Sequence, residues 1–134
     1  MMPPAARTAL PGFMWDDVGI VRDRAGLERA PLSLAHLQEE LIATGVSGAN
    51  RIYNLTWHDW LNLDNLISVS RAITAAALIR EDSCGAHYRS DFPASGDPNA
   101  SAYTVVKRDQ NSLRVTTEPV RFTRVKPGES LLSD

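Results

Sequence analysis

Cys84, His87, Arg89 and Asp91 fall within eight consecutive positions of the stretch Glu-Asp-Ser-Cys-Gly-Ala-His-Tyr-Arg-Ser-Asp-Phe-Pro, residues 81–93. Three chemistries could use such a set. Cys84 with His87 could form a nucleophile and its base. Cys84, His87 and Asp91 could supply part of a metal site, although C-x-x-H without a second ligand pair is a weak signal. His87 and Arg89 could hold an anion or pass a proton. A fourth reading is structural. The stretch follows a long helical pattern, so Arg89 or His87 can donate to the orphan carbonyls of the helix end, and Asp91 can accept from one of them. A thiol at that end sees the negative pole of the helix dipole, which disfavours thiolate. The structural reading is therefore preferred, and the spacing leaves open which pairs form. Asp16 and Asp17 are a weaker candidate pair. Adjacent helical residues diverge by about 100°, so the two carboxylates do not converge on one substrate atom. His58, beside Trp57 and Trp60, reads as a helix-start residue against the core.

The elements that must position this stretch are helical. A helix is expected from Thr56 to about Ser83, with Thr56 as N-cap and Asp59 three residues on. Leu63, Leu66, Ile67, Ile73 and Ala77 would line its buried face, and Ala72, Ala75 and Ala76 would let another helix come close. Gly85 is the expected C′ residue, and Pro93 forbids an early return to helix. Upstream, Phe13, Met14, Val18 and Val21 form a short apolar stripe. Asp23 can cap a second segment, which Pro31 should interrupt, with Ser33 as a new cap. Leu34, Leu37, Leu41 and Ile42 give a clear amphipathic face opposite Gln38, Glu39 and Glu40. Gly45, Ser47, Gly48 and Asn50 mark the connection to the long helix.

Beyond Pro93 the pattern changes. Ala94 to Ala100 reads as loop. Tyr103 to Arg108 and Leu113 to Thr117 alternate around a polar turn at Asp109–Ser112, which predicts a β-hairpin. An isolated hairpin is marginal in water, so it should pack on the helices or on another chain. The tail from Val120 reads as extended, with a turn at Pro127-Gly128. The expected fold is mainly α: a three-helix antiparallel bundle, spectrin-repeat-like, with a C-terminal β-hairpin or extended tail. Residues 1–12 would be a flexible arm, residues 13–93 the bundle, and residues 94–134 the loop, hairpin and tail packed on it.

Composition narrows the function. The chain has 134 residues, 43% hydrophobic and 22% charged, as in an ordinary globular domain. A formal charge of −2 gives no electrostatic reason to expect nucleic acid. One cysteine excludes an internal disulfide and is compatible with a reducing, cytoplasmic location. No apolar run approaches the roughly 20 residues that span a bilayer. No G-x-G-x-x-G follows a strand, so there is no dinucleotide cradle.

The stretch EDSCGAHYRSDFP resembles the E-S-R-G-x-H-x-R-x-D-[FY]-P signature of the C-terminal helical domain in FAD-dependent succinate dehydrogenase, fumarate reductase and L-aspartate oxidase flavoproteins. Ser83, Gly85, His87, Arg89, Asp91 and Pro93 stand where the signature wants them; Asp82 replaces its second Glu and Cys84 its Arg. FMWDDVGIVRD resembles the helix that opens that domain, and HDWLNLDNLISVSRAI its last long helix. The family pattern runs through Pro31 as one continuous helix. The resemblance implies a non-catalytic domain that braces the flavin domains or a subunit assembly. FAD would then sit in a partner flavin-domain polypeptide, with no cofactor, metal or catalytic residue in this chain and a homo-oligomer as a further option. The alternative is a free-standing interaction module that kept the fold without redox function. Neither reading calls for membrane insertion or nucleic acid.

Overall fold

The computed structural model describes residues 4–46, 54–110 and 112–130. Three helices carry most of them: α1 (Pro4–Val18), α2 (Arg24–Thr44) and α3 (Leu55–Ile79). Two short strands, β1 (Val21–Arg22) and β2 (Tyr88–Arg89), pair in parallel. A hairpin of β3 (Ala102–Asp109) and β4 (Ser112–Pro119) follows.

α1 begins well before Phe13. Residues 4–12, expected as a flexible arm, are helical, and Leu10 is buried. Proline suits the first position of a helix, where its missing N–H costs nothing, so Pro4 starts α1 rather than preventing it. Asp16 and Asp17 consequently lie in the last turns of α1, not at a helix start, and Asp17 pairs with Arg29 of α2 at 2.6 Å.

α2 is capped as expected: Gly26 N–H donates to the Asp23 side chain at 2.7 Å. It then continues through Pro31 as one helix, so the expected break and the Ser33 cap do not occur. The proline removes one backbone donor, while Leu27, Ala30, Leu34, Leu37 and Leu41 bury a continuous stripe on either side of it. Burial of this kind contributes about 1.5–3 kcal/mol per large side chain, enough to outweigh one missing helical bond. Ile42, expected in that stripe, is exposed.

α3 starts two residues early, because Asn54, another good cap, accepts from Trp57 N–H at 3.1 Å. Its buried residues are Leu63, Ile67, Ser70, Thr74 and Ala77. At 3.6 residues per turn all five lie within about 40° of Leu63, whereas Leu66 and Ile73 sit about 60° and 80° round to one side. Both are therefore exposed, against expectation. Thr74 is tolerated in the core because its hydroxyl donates to the Ser70 carbonyl at 2.8 Å.

The packing shows the helix directions. The end of α1, the start of α2 and the end of α3 share one cluster of Val18, Leu27, Ala30 and Ala77. Leu10, Leu34, Leu37, Leu41, Leu63 and Ile67 form the other, with Phe13, Met14 and Trp60 against them. Trp60 also donates to the Leu41 carbonyl at 3.0 Å. α2 thus runs opposite to α1 and α3. At the α1–α2 crossing, a side-chain carbon on Gly26 would lie 2.9 Å from the Asp17 carbonyl oxygen, so only glycine fits. His58 is exposed, with its ring edge-on to Trp57 rather than against the core. Val21 is exposed too.

The hairpin register pairs Tyr103 with Glu118 and Arg108 with Leu113, and the hairpin packs on α3. The Pro127-Gly128 turn is present, closed by Glu129 N–H donating to the Lys126 carbonyl at 3.0 Å. Within the expected connections and turns, Ser47 to Asn50 and Asn111 lie outside the described residues.

Candidate functional site: a polar junction at three helix ends

α3 ends at Ile79, before Ser83, with Arg80 as its extended cap. Gly85 is therefore not the C′ residue. It is the first central residue of a tight turn, φ +59°, in which Cys84 and His87 exchange both backbone hydrogen bonds at 2.9 and 3.1 Å. Glycine adopts that positive φ at no steric cost. The turn sends the chain back across the end of α3 and into β2. Pairing of β2 with β1 then sets Arg89 beside Arg22.

Arg89 has no exposed surface. Its Nη1 donates to the carbonyls of Ala77, Leu78 and Arg80 at 3.0–3.1 Å, the orphan acceptors at the end of α3. Its Nε and Nη2 hold both oxygens of Asp91, at 2.8 and 2.6 Å. The guanidinium also lies 5.0 Å from the centre of the Phe92 ring. Asp91 in turn accepts from the backbone N–H of Arg24, the first residue of α2, at 3.2 Å. The cation thus sits at the negative end of α3 and the carboxylate at the positive end of α2, so the pair satisfies both helix dipoles. The bidentate arginine holds Asp91 well below its ordinary value, at about 2. The same bond raises Arg89.

His87 makes the second link. Arg22 Nη1 lies 2.9 Å from its Nδ1, and the Arg80 carbonyl 3.3 Å from its Nε2. A guanidinium only donates, so Nδ1 accepts and Nε2 carries the proton. His87 is neutral in this arrangement. Burial first, then the positive charges of Arg22 and Arg80, push it below its ordinary value. Arg22 Nε donates to the carbonyls of Val18 and Gly19, at the end of α1.

Ser83 closes the loop, accepting from Arg89 N–H at 2.9 Å and donating to the Phe92 carbonyl at 2.8 Å. Its own N–H donates to the Ala94 carbonyl, across exposed Pro93. Asp82 pairs with Arg80 at 2.7 Å, and Glu81 with Arg24 at 2.7 Å. Five of the six signature positions thus meet at one junction or shape the turn that makes it. Sequence reasoning missed Arg22 and Arg24. Their signal was the Val-Arg-Asp-Arg run between two helices, where a basic residue ends one helix and a capping residue starts the next.

Chemically, the junction is internally spent. Arg89, Asp91 and His87 each bond groups of the fold, and no buried side-chain nitrogen or oxygen among the described residues lacks a partner. Cys84 is exposed and free. Among the described residues, no three His, Cys, Asp or Glu side chains are placed to hold a metal.

The fold is thus three helices tied by a polar junction, with a hairpin on the last helix. A family profile described as "Fumarate reductase flavoprotein C-term" matches residues 7–131, and the chain belongs to that family. It is 38% identical over 112 residues to the fumarate reductase flavoprotein subunit of Mycobacterium tuberculosis, covering 83% of this chain and 19% of that one. It is 40% identical over 82 residues to L-aspartate oxidase 1 of Ralstonia nicotianae, covering 60% and 14%. The solved structure of E. coli quinol fumarate reductase FrdA shares the fold, with a TM-score of 0.83 at 23% identity over 92% of this chain and 22% of that one. The Mycobacterium smegmatis Sdh1 complex in the apo form gives 0.76 at 27% identity, covering 87% and 21%. The chain therefore spans between about a seventh and a fifth of the length of these relatives.

Proposed function

We propose that this chain is a non-catalytic bracing domain of a fumarate reductase- or succinate dehydrogenase-like flavoprotein, with FAD held by a flavin-domain polypeptide that it supports. The observation that carries the reading is the junction itself: His87, Arg89 and Asp91 of the family signature bond to helix ends and to one another. A second observation is the surface. Leu66, Val69 and Ile73 form an exposed apolar stripe on α3, and Trp15, Ile20 and Val21 are exposed at the end of α1. Apolar faces of this kind mark surfaces that meet another protein. The reading includes an antiparallel, spectrin-repeat-like bundle ending at Pro93, a loop-and-hairpin unit from Ala94 onward, and a cytoplasmic location, with which a single free cysteine is compatible.

The test is to mix the purified chain with the flavin-domain polypeptide of the same enzyme. The expected result is a complex on gel filtration that Leu66→Asp with Val69→Asp weakens, while the chain alone is colourless and inactive on fumarate, succinate and aspartate. Stoichiometric flavin retained by the chain alone would overturn the reading. A strictly monomeric chain that ignores flavin-domain polypeptides would favour the free-standing interaction module.

A further inference from the structure

A cavity of about 400 Å³ opens between α3, Pro31 of α2 and the tip of the hairpin. That volume lies within the range of small-molecule sites, roughly 300–1,000 Å³. Its body is apolar, lined by Pro31, Ala75, Leu78 and Leu113, with the Thr74 side chain alongside. Two guanidiniums, Arg71 and Arg108, line the same cavity, and no carboxylate does.

Neither arginine is spent within the fold, in contrast to five others. Arg22, Arg24, Arg29, Arg80 and Arg89 all bond carbonyls, an imidazole or carboxylates of the fold. Arg71 and Arg108 have neither an ion pair nor a side-chain hydrogen bond among the described residues. The helix offers Arg71 no relief, because Ile67, Ser68, Thr74 and Ala75 occupy the neighbouring positions on its face. Arg108 stands opposite Leu113 in the hairpin register. Arg71 is half-buried beside the apolar wall and Arg108 is exposed at its rim, so two guanidiniums line the site and, among the described residues, no carboxylate does.

We infer that this cavity binds a small amphipathic carboxylate, its head group held by Arg71 and Arg108 and its aliphatic body laid against Pro31, Ala75, Leu78 and Leu113. The hydroxyl of Ser68 lines the same space and can donate to the head group. The assignment is independent of the bracing role, because it uses none of the junction residues and does not use the exposed stripe of Leu66, Val69 and Ile73.

The probe is octanoate, titrated into the full chain and followed by calorimetry and by methyl NMR. Saturable one-to-one binding is expected, with shifts confined to the methyl groups of Thr74, Ala75, Leu78 and Leu113. Octylammonium, with the same tail and opposite charge, should not bind. Arg71→Gln with Arg108→Gln should weaken octanoate at least about tenfold, the loss expected for one charge-assisted bond, with an unchanged circular dichroism spectrum. Ala75→Trp should fill the cavity and abolish binding; if that variant does not fold, the arginine pair carries the test. Equal binding of octylammonium, binding that survives the double arginine substitution, or no shift of these methyl groups at millimolar octanoate would each overturn the inference.

Discussion

The junction at the helix ends and the β3–β4 hairpin are built on opposite principles. In the junction every charge has a partner, and the partners come from far apart in sequence: Arg22 meets His87, and Arg24 meets both Glu81 and Asp91. In the hairpin the backbone pairs locally and in continuous register, while the charges are left over. Lys107 and Arg114 face one another directly across the strands, with no ion pair to either among the described residues. The junction is buried at Arg89, and the hairpin strands are largely exposed. The difference teaches where specificity is stored. The hairpin is a local structure laid on α3, while the junction decides how three helix ends sit on one another.

The comparison breaks most sharply at Arg89. Arg89→Ala removes the side-chain donor from the Ala77 and Leu78 carbonyls and the cation from Asp91, while the Arg80 carbonyl keeps His87 Nε2–H. Leaving a buried acceptor without its donor costs about 1–3 kcal/mol, and because Asp91 is exposed its freed carboxylate adds little. The expected outcome is a large drop in the urea midpoint, and Arg89→Lys should recover only part of it, since an ammonium cannot fork onto Asp91 while reaching the end of α3. A midpoint equal to the parent's would show that the helix ends do not depend on the junction.

Acid should weaken the junction in two steps and leave the hairpin alone. His87 is depressed in the folded chain below 6.5, so the unfolded chain takes up that proton first. Its contribution is complete above pH 6.5 and is lost as pH falls toward the folded value. Protonation puts a cation against Arg22 and removes the acceptor at Nδ1. Asp91 behaves likewise lower down: its contribution is present above 3.8 and lost between 3.8 and about 2. Urea midpoints measured against pH should show both declines in the parent. Asp91→Asn should start lower and lack the acid one, and His87→Gln should lack the one that begins near 6.5.

The same contrast explains what could be read in the sequence. The hairpin, the Asp23 cap and the buried Leu34, Leu37, Leu41, Leu63, Ile67 and Ala77 were legible because alternation, capping and helical spacing are local signals. Asn54 and Thr56 are both good caps, and nothing local chooses between them. Pro31 was read as a breaker because proline acts locally, and residues 1–12 as a flexible arm, whereas burial of Leu10 and of the α2 stripe is a property of the assembled bundle. Leu66 and Ile73 needed the bundle's seam, which only the partner helices define. The signature was legible as a set, and its bonding was not. Arg22 is 65 residues from His87, and only the β1–β2 pairing brings them together.

The hairpin offers a smaller and opposite effect. Lys107→Glu converts a like-charge cross-strand pair into an attractive one opposite Arg114. Such pairs are worth about 0.2–1 kcal/mol. The hairpin should gain that much, read as slower hydrogen exchange of the β3 and β4 amides with little change in the global urea midpoint. Unchanged exchange would mean that solvent already screens the two cations fully.

The smallest effect should come from inside the junction's own turn. Cys84 stands between Ser83 and Gly85, yet its side chain is exposed and free, and its part in the turn is played by backbone groups that exchange bonds with His87. Cys84→Ser keeps those groups and the chain's conformational freedom, so stability should stay within about 0.5 kcal/mol of the parent, as for ordinary surface substitutions. The result sharpens the comparison because Arg89, five residues on, is expected to cost several times as much. Position in the signature then counts for little, and bonding to a helix end for nearly everything. If Cys84→Ser instead lowered the midpoint as far as Arg89→Ala, or abolished a measurable reaction, the thiol would have to be acting through a contact that the exposed geometry does not contain, and the structural account of the signature would fall with it.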